Sequence, residues 1–185
     1  MRKRLSVIGA LAGPALAITI LLGVGTVAAS GSGPAYLQVV DWSASDRSDN
    51  LATLTIVTDG AIPRKPDAFI DAHAVVGLAW ADLDSGSVFV TTIHPVLGRD
   101  SHQNPDAWHA HTATLTGGAT APNDFCIASI DATPTAGIAI SGNTLTINVQ
   151  ADRLPVPTSA FDAAVGFTIE PDPACGSGLA VRIVA

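Results

Sequence analysis

The chain has 185 residues, of which 16 are acidic and 9 basic, so its formal net charge is −7 at pH 7. Three basic residues lie at positions 2–4 and every acidic residue lies beyond position 40, which leaves the rest of the chain with a net charge near −10. So acidic a domain repels phosphate backbones and anionic lipid surfaces, which excludes nucleic acid as an expected partner.

The N-terminal segment has the three parts of a secretory signal peptide. Basic residues at positions 2–4 precede an apolar run over residues 5–27, and small residues follow up to Ala29 and Ser30. This pattern predicts a signal peptide over residues 1–29 and one exported domain over residues 30–185. The run is also long enough for a membrane-spanning helix, so an uncleaved anchor helix is the alternative and would be the only membrane contact. Both predictions place the domain outside the cytoplasm, either secreted or in the cell envelope.

Beyond position 30, apolar and polar residues alternate with period two between groups of turn residues, which is typical of β-strands. About ten strands are predicted, over residues 36–42, 51–58, 69–82, 87–93, 108–116, 125–130, 137–140, 144–150, 165–169 and 179–184. A short helical turn is expected near residues 159–164. The number of strands and the lack of an internal repeat predict an all-β domain: a two-sheet antiparallel sandwich, Ig-like or jelly-roll-like, with a closed barrel as the main alternative.

The third and fourth strands are expected to form a hairpin across Asp84-Ser85-Gly86. If Gly86 ends a three-residue turn in the left-handed conformation, Leu83 pairs with Ser87. This register collects apolar side chains on one face, at whose end His94 lies, and it turns His73 to the opposite side. The predicted apolar face consists of Val76, Leu78, Trp80, Val88 and Val90. Asp82 and Asp84 are interpreted as turn formers rather than calcium ligands, because no suitable acidic loop follows them.

Cys126 and Cys175 are the only cysteines in the chain. In an oxidising compartment an even number of cysteines predicts a disulfide, and this one closes a loop of about 50 residues. A thiolate metal ligand or nucleophile is the less favoured alternative.

All five histidines lie between positions 73 and 111. His109 and His111 are two apart on a predicted strand, so both side chains point to the same face and can reach one ion. Imidazole nitrogen suits copper, zinc or nickel. A third ligand is expected from the preceding segment, where His94 ranks first and His102 second, ahead of Asp100 and Asp106. His73 ranks last.

The predicted metal ligands are therefore His94, His102, His109 and His111, and the predicted ion is copper or zinc, bound without enzymatic activity. The alternative is that the histidines lie on a solvated face, in which case the domain is an interaction module for a cell-envelope protein partner. A metal-dependent enzyme is a third hypothesis. The sequence leaves open whether the face of His109 and His111 or the face of Trp108 and Ala110 turns inward.

Overall fold

The computed structural model describes residues 33–65, 75–94 and 107–184. Every regular element longer than one turn in these ranges is a β-strand: β1 (Val39–Ser48), β2 (Leu51–Thr58), β3 (Val75–Asp82), β4 (Ser87–Ile93), β5 (His109–Thr116), β6 (Phe125–Ala132), β7 (Gly137–Ser141), β8 (Thr144–Gln150), β9 (Ala163–Pro171) and β10 (Leu179–Val184). Single 3-10 turns occupy Ala35–Leu37, Ala151–Arg153 and Thr158–Ala160. No helix in these ranges has the length and apolar character needed to span a bilayer. The predicted signal peptide or anchor, residues 1–29, lies outside the described residues.

The strands form two antiparallel sheets, so the all-β prediction is confirmed. One sheet has four strands in the order β1-β2-β8-β7. The other has six strands in the order β10-β6-β5-β4-β3-β9 and closes on itself as a barrel. The sandwich detail of the prediction is not confirmed, because the second sheet has no open edges and matches the barrel alternative instead.

The barrel closes along a short contact between β6 and β10. Only two residue pairs are in register there, Ala180 with Cys126 and Val181 with Phe125. The predicted disulfide is present at this contact and joins Cys126 to Cys175. Cys126, Cys175 and Ala180 form a small buried cluster of their own. The covalent bond therefore reinforces the shortest ladder in the barrel.

The four-stranded sheet buries one face against the outside of the barrel. Along β8, Leu145 and Ile147 are fully buried while Thr144 and Thr146 are partly exposed, as the period-two pattern predicts. The buried face packs on barrel residues that include Trp80 and Phe89. This contact forms the larger of the two main hydrophobic cores.

Strands β3 and β4 separate that core from a second core inside the barrel, so both of their faces are buried. Leu78 and Trp80 point toward the four-stranded sheet, whereas Ala79, Ala81 and Val90 point into the barrel. A strand buried on both faces needs apolar side chains at consecutive positions, which explains why residues 75–81 contain no polar side chain.

The β3–β4 hairpin differs from its predicted register by one residue. Gly86 has the expected positive φ of 71°, but Asp82, not Leu83, pairs with Ser87. Asp82 closes the longer turn itself: its carbonyl accepts a hydrogen bond from the Gly86 amide, and its carboxylate accepts bonds from the Asp84 amide and the Ser85 hydroxyl.

The predicted single apolar face of this hairpin is therefore wrong. Val76, Leu78 and Trp80 pair with Ile93, Thr91 and Phe89, and they face away from Val88 and Val90. The predicted orientation of His73 depended on that register and is no longer supported. His73 itself lies outside the described residues.

Candidate metal centre

Three of the five histidines meet at one end of the barrel interior. His109 and His111 lie on β5 opposite Thr92 and Val90 of β4, and His94 directly follows the last residue of β4. The shared face with Ala113, which belongs to the core inside the barrel, shows that the β5 histidines point inward. The structure thus settles the question of the inward face, and it also buries Trp108 and Ala110 on the other side against the four-stranded sheet.

The three imidazoles are buried and mutually in contact. Their exposed fractions are 5% for His94, 9% for His109 and 6% for His111. The ring centroid of His109 lies 4.6 Å from that of His94 and 4.8 Å from that of His111, and both ring pairs are in edge-to-face orientation. The rings of His94 and His111 are nearly parallel, with centroids 6.1 Å apart. His109 therefore occupies the middle of the group.

The nitrogen atoms of these rings converge. The Nε2 atoms of His94 and His109 are 3.0 Å apart. One ligand nitrogen from each of the three rings lies within 4.8 Å of the other two, and this histidine cluster is the one group of potential metal ligands found among the described residues. The cluster contains no carboxylate and no sulfur, so its donors are all imidazole nitrogens.

Hydrogen bonds to the outer ring nitrogens fix how two of the rings are oriented. Nδ1 of His109 lies 2.9 Å from the carbonyl oxygen of Ala107. A carbonyl can only accept, so Nδ1 donates and Nε2 carries the lone pair that faces His94. Nδ1 of His111 lies 3.1 Å from the hydroxyl of Thr133. A backbone carbonyl in this position is a partner that typically orients a metal-binding histidine, and the Thr133 hydroxyl contacts the corresponding nitrogen of His111.

The spacing of the nitrogens is close to what a shared ion requires. Zinc–nitrogen bonds are about 2.0–2.1 Å long, so nitrogens that bind one tetrahedral ion lie about 3.3–3.4 Å apart, and no two ligands of one ion can be more than about 4.2 Å apart. The pair formed by His94 and His109 meets this limit at 3.0 Å. The full set extends to 4.8 Å, so the widest pair must close by about 0.6 Å to reach the outer limit and by about 1.4 Å to reach tetrahedral spacing. With such a movement of the rings, the cluster can hold a metal ion.

Three of the four predicted ligands, His94, His109 and His111, are brought together by the fold. The fourth predicted ligand, His102, lies outside the described residues, as do Asp100 and Asp106. The two outer partners of the cluster, Thr133 and the carbonyl of Ala107, were not predicted from the sequence. No local signal separates Thr133 from the other threonines, because its role depends on where β6 ends relative to β5.

The other sequence candidates have structural roles. The carboxylate of Asp82 accepts hydrogen bonds within its own turn, and the Ser85 hydroxyl is the main cause that lowers the pKa of that carboxyl. Cys126 and Cys175 are bonded to each other, so neither provides a thiolate to the cluster.

No protein-family model matches this chain, and no curated protein or solved structure matches it either. The assignment of a function therefore depends on the chemistry and geometry of the histidine cluster.

Proposed function

We propose that this protein is an exported domain that binds one transition-metal ion, copper or zinc, through His94, His109 and His111. The proposed role is binding rather than catalysis. His102 is the proposed fourth ligand. It belongs to the segment that leaves β4 after His94 and returns at position 107, so both ends of that segment lie at the cluster.

The observation that carries the proposal is the convergence of three imidazoles in a buried place. A buried polar ring is costly unless its nitrogens have partners. A single cation would accept the lone pair of each inward nitrogen at once. The outward Nδ1 atoms of His109 and His111 already have partners in the protein, which leaves the inward nitrogens oriented for an ion.

The donor set favours copper or zinc over calcium or magnesium. Neutral imidazole suits copper, zinc and nickel, whereas calcium and magnesium prefer carboxylate and carbonyl oxygens. A blue-copper centre would need a cysteine thiolate and usually a methionine, but both cysteines are in the disulfide and Met1 is the only methionine. An all-imidazole site therefore supports zinc or a non-blue copper ion.

Export is the second part of the proposal, and two independent features support it. The signal-peptide pattern over residues 1–29 predicts secretion. The disulfide between Cys126 and Cys175 is stable in the oxidising compartments that such a signal leads to.

A metal-free interaction module is the second candidate function. It is favoured by the 3.0 Å contact between the Nε2 atoms of His94 and His109, which satisfies both atoms when the proton on His94 is donated to His109. In that case the cluster stabilises the barrel, and the function lies in contact with a cell-envelope protein. Metal binding would replace this hydrogen bond and move the His94 proton to Nδ1.

The test is metal content and metal affinity. We expect the purified protein to retain about one equivalent of copper or zinc by elemental analysis, and the chelated protein to bind added zinc or copper in calorimetry. The double variant His109→Gln with His111→Gln should lose this binding. Thr112→Val, a nearly isosteric change between the two histidines on the same strand, should keep it.

A double variant that keeps the full metal content would refute the assignment of the site. If neither the native protein nor the chelated protein takes up copper or zinc, and chelator leaves the melting temperature unchanged, the interaction module becomes the better proposal. His102→Gln tests the fourth ligand separately, because its loss should weaken binding without abolishing it.

A further inference from the structure

The barrel interior contains a cavity of about 370 Å³ that is lined by all six of its strands. This volume lies within the range of about 300–1,000 Å³ that is typical of small-molecule sites. Its wall is formed mainly by aliphatic and aromatic side chains, among them Val88, Val90, Ile127, Val165, Phe167 and Val181. An apolar space of this size offers water few hydrogen-bond partners, so it favours an apolar occupant.

The cavity exists because several positions that point into the barrel carry small residues. Ala79 and Ala81 of β3, Ala113 of β5 and Ala163 of β9 all line it. Interiors of small barrels are ordinarily filled by larger side chains. Each of these alanines leaves the space that a leucine or phenylalanine would occupy. The composition of the wall therefore creates the cavity.

Both ends of the cavity carry polar residues, whereas the wall between them is apolar. At one end, His111 and Thr92 line it, next to the histidine cluster. At the other end it is lined by residues of the β3–β4 turn and by Thr116. His111 and Thr116 lie five positions apart on β5, which corresponds to about 17 Å of extended strand. The cavity is thus elongated, with neutral hydrogen-bonding groups (Thr92 and His111) at its inner end and acidic residues at the outer end.

The outer end has the features of an entrance. Two exposed large hydrophobic side chains line this cavity: Leu83 in the β3–β4 turn at this end, and Ile130 further along the wall, level with Ala113. Their exposed fractions are 62% and 63%. Asp82 and Asp84 also lie at this end, so the entrance combines the apolar side chain of Leu83 with two carboxylates. Acidic residues there disfavour the entry of an anion.

We propose that the barrel binds an uncharged, elongated apolar molecule, such as a long-chain alcohol, with its polar group directed to His111 and Thr92. The apolar wall provides the binding free energy through burial of hydrocarbon. The two polar side chains provide orientation, as in other sites where few polar groups line a mainly apolar pocket. The acidic entrance and the net negative charge of the protein select against fatty-acid carboxylates. The site belongs to the metal-free cluster, because an ion on the other nitrogen of His111, whose Nδ1 already contacts Thr133, would leave that ring no nitrogen for the ligand.

The experiment uses the neutral fluorophore N-phenyl-1-naphthylamine, whose emission increases in apolar surroundings, with the full protein after chelation. We expect saturable binding of one molecule per chain. Decan-1-ol should displace the probe, and decanoate at pH 7.5 should be weaker by about tenfold or more. Equal displacement by both would overturn the selectivity for uncharged ligands, and a lack of saturable probe binding would overturn the site.

Two variants locate the binding within the barrel. Ala113→Phe places a ring in the cavity and should weaken probe binding by about tenfold or more. The control is Ala139→Phe, the same change at an exposed position of β7, which should bind as the native protein does. Ala81→Leu is a smaller filling change and serves if Ala113→Phe does not fold. A folded filling variant, as judged by its melting transition, that binds the probe with native affinity would refute the barrel as the site.

Discussion

The carboxylate of Asp172 accepts two hydrogen bonds from Thr120, a residue 52 positions earlier in the chain. It accepts hydrogen bonds of 2.7 Å from the Thr120 amide and from the Thr120 hydroxyl, and one of 2.9 Å from the Ala174 amide. These bonds join the segment before β6 to the turn before β10. Because Cys175 is in that turn and is bonded to Cys126, the carboxylate and the disulfide tie the same two segments together.

The first prediction concerns the pH dependence of stability. The hydrogen bonds from the Thr120 amide, the Thr120 hydroxyl and the Ala174 amide lower the pKa of the Asp172 carboxyl in the folded protein. A lowered folded-state pKa contributes stability that is present above the unfolded pKa, about 3.9, and is lost as pH falls through the folded value. We expect Asp172→Asn to lower the melting temperature at pH 7, and the gap to narrow as pH falls toward 2.

Melting temperatures of the native protein and Asp172→Asn between pH 7.5 and pH 2 test this prediction. Asp152→Asn is the control, because the Asp152 side chain is exposed and has only a 3.8 Å contact with Arg153. It should leave the melting temperature nearly unchanged. A gap between the native protein and Asp172→Asn that stays constant down to pH 2 would show that the charge on Asp172 does not contribute.

The second prediction concerns the outer partner of His111. The Thr133 hydroxyl lies 3.1 Å from Nδ1 of His111, and it is the kind of contact that orients a metal-binding imidazole. Thr133→Val keeps the shape of the side chain but removes the hydroxyl. We expect zinc or copper affinity to fall by about 10–100-fold, measured by calorimetry on chelated protein.

Thr135→Val is a matched control for this prediction. Thr135 is exposed, as Thr133 is, and lies two residues further along the same connection. The same substitution there should leave metal affinity unchanged. Equal affinities for Thr133→Val and the native protein would argue against His111 as a ligand held by Thr133.

The third prediction concerns the contact between β3 and β9 inside the barrel. Gly77 pairs with Phe167, and a Cβ atom added at Gly77 would lie 2.5 Å from both the Phe167 ring and the Thr91 carbonyl oxygen. The ring can move, but the carbonyl belongs to the backbone of β4. We expect Gly77→Ala to lower the free energy of unfolding by about 1–3 kcal/mol, measured by denaturant titration.

Gly117→Ala is the control for this effect, because no atom lies within 4 Å of a Cβ atom built there. Combining Gly77→Ala with Phe167→Leu should restore only part of the lost stability, since the Thr91 carbonyl remains in place. Full recovery in the double variant would mean that the ring alone causes the strain.

The fourth prediction concerns the disulfide. Cys126 and Cys175 are 49 residues apart in sequence, and a cross-link over a loop of that length stabilises a fold by about 4 kcal/mol in the chain-entropy model. Replacing both cysteines by serine should lower the free energy of unfolding by about that amount. The barrel contact beside the bond has only two residue pairs in register.

Guanidinium titrations with and without dithiothreitol measure this contribution. The reductant should destabilise the native protein to the level of the double serine variant and should leave that variant unchanged. A reduced protein as stable as the oxidised one would show that the loop closure contributes little.

The sequence alone determined the approximate positions of most strands, because period-two alternation and turn residues are local properties. The first strand is the exception: it was predicted over residues 36–42, whereas β1 spans Val39–Ser48 after a 3-10 turn. The bounds predicted for β2, β4, β8 and β10 coincide with those of the structure. The sequence also determined the pairing of Cys126 with Cys175, since only one intramolecular disulfide is possible in a chain with two cysteines. The histidine positions also indicated a metal site from a local pattern, because His109 and His111 lie two apart on one strand and therefore point to the same face.

Only the tertiary structure decided how these elements combine. The side-chain bonds of Asp82 lengthen the β3–β4 turn by one residue, and a shift of one residue exchanges the two faces of a strand relative to its partner. Closure of six strands into a barrel depends on the pairing of β6 with β10, which are far apart in the chain. The inward direction of His109 and His111, their contact with His94 and the alanine-lined cavity beside them all follow from that closure, which no local pattern encodes.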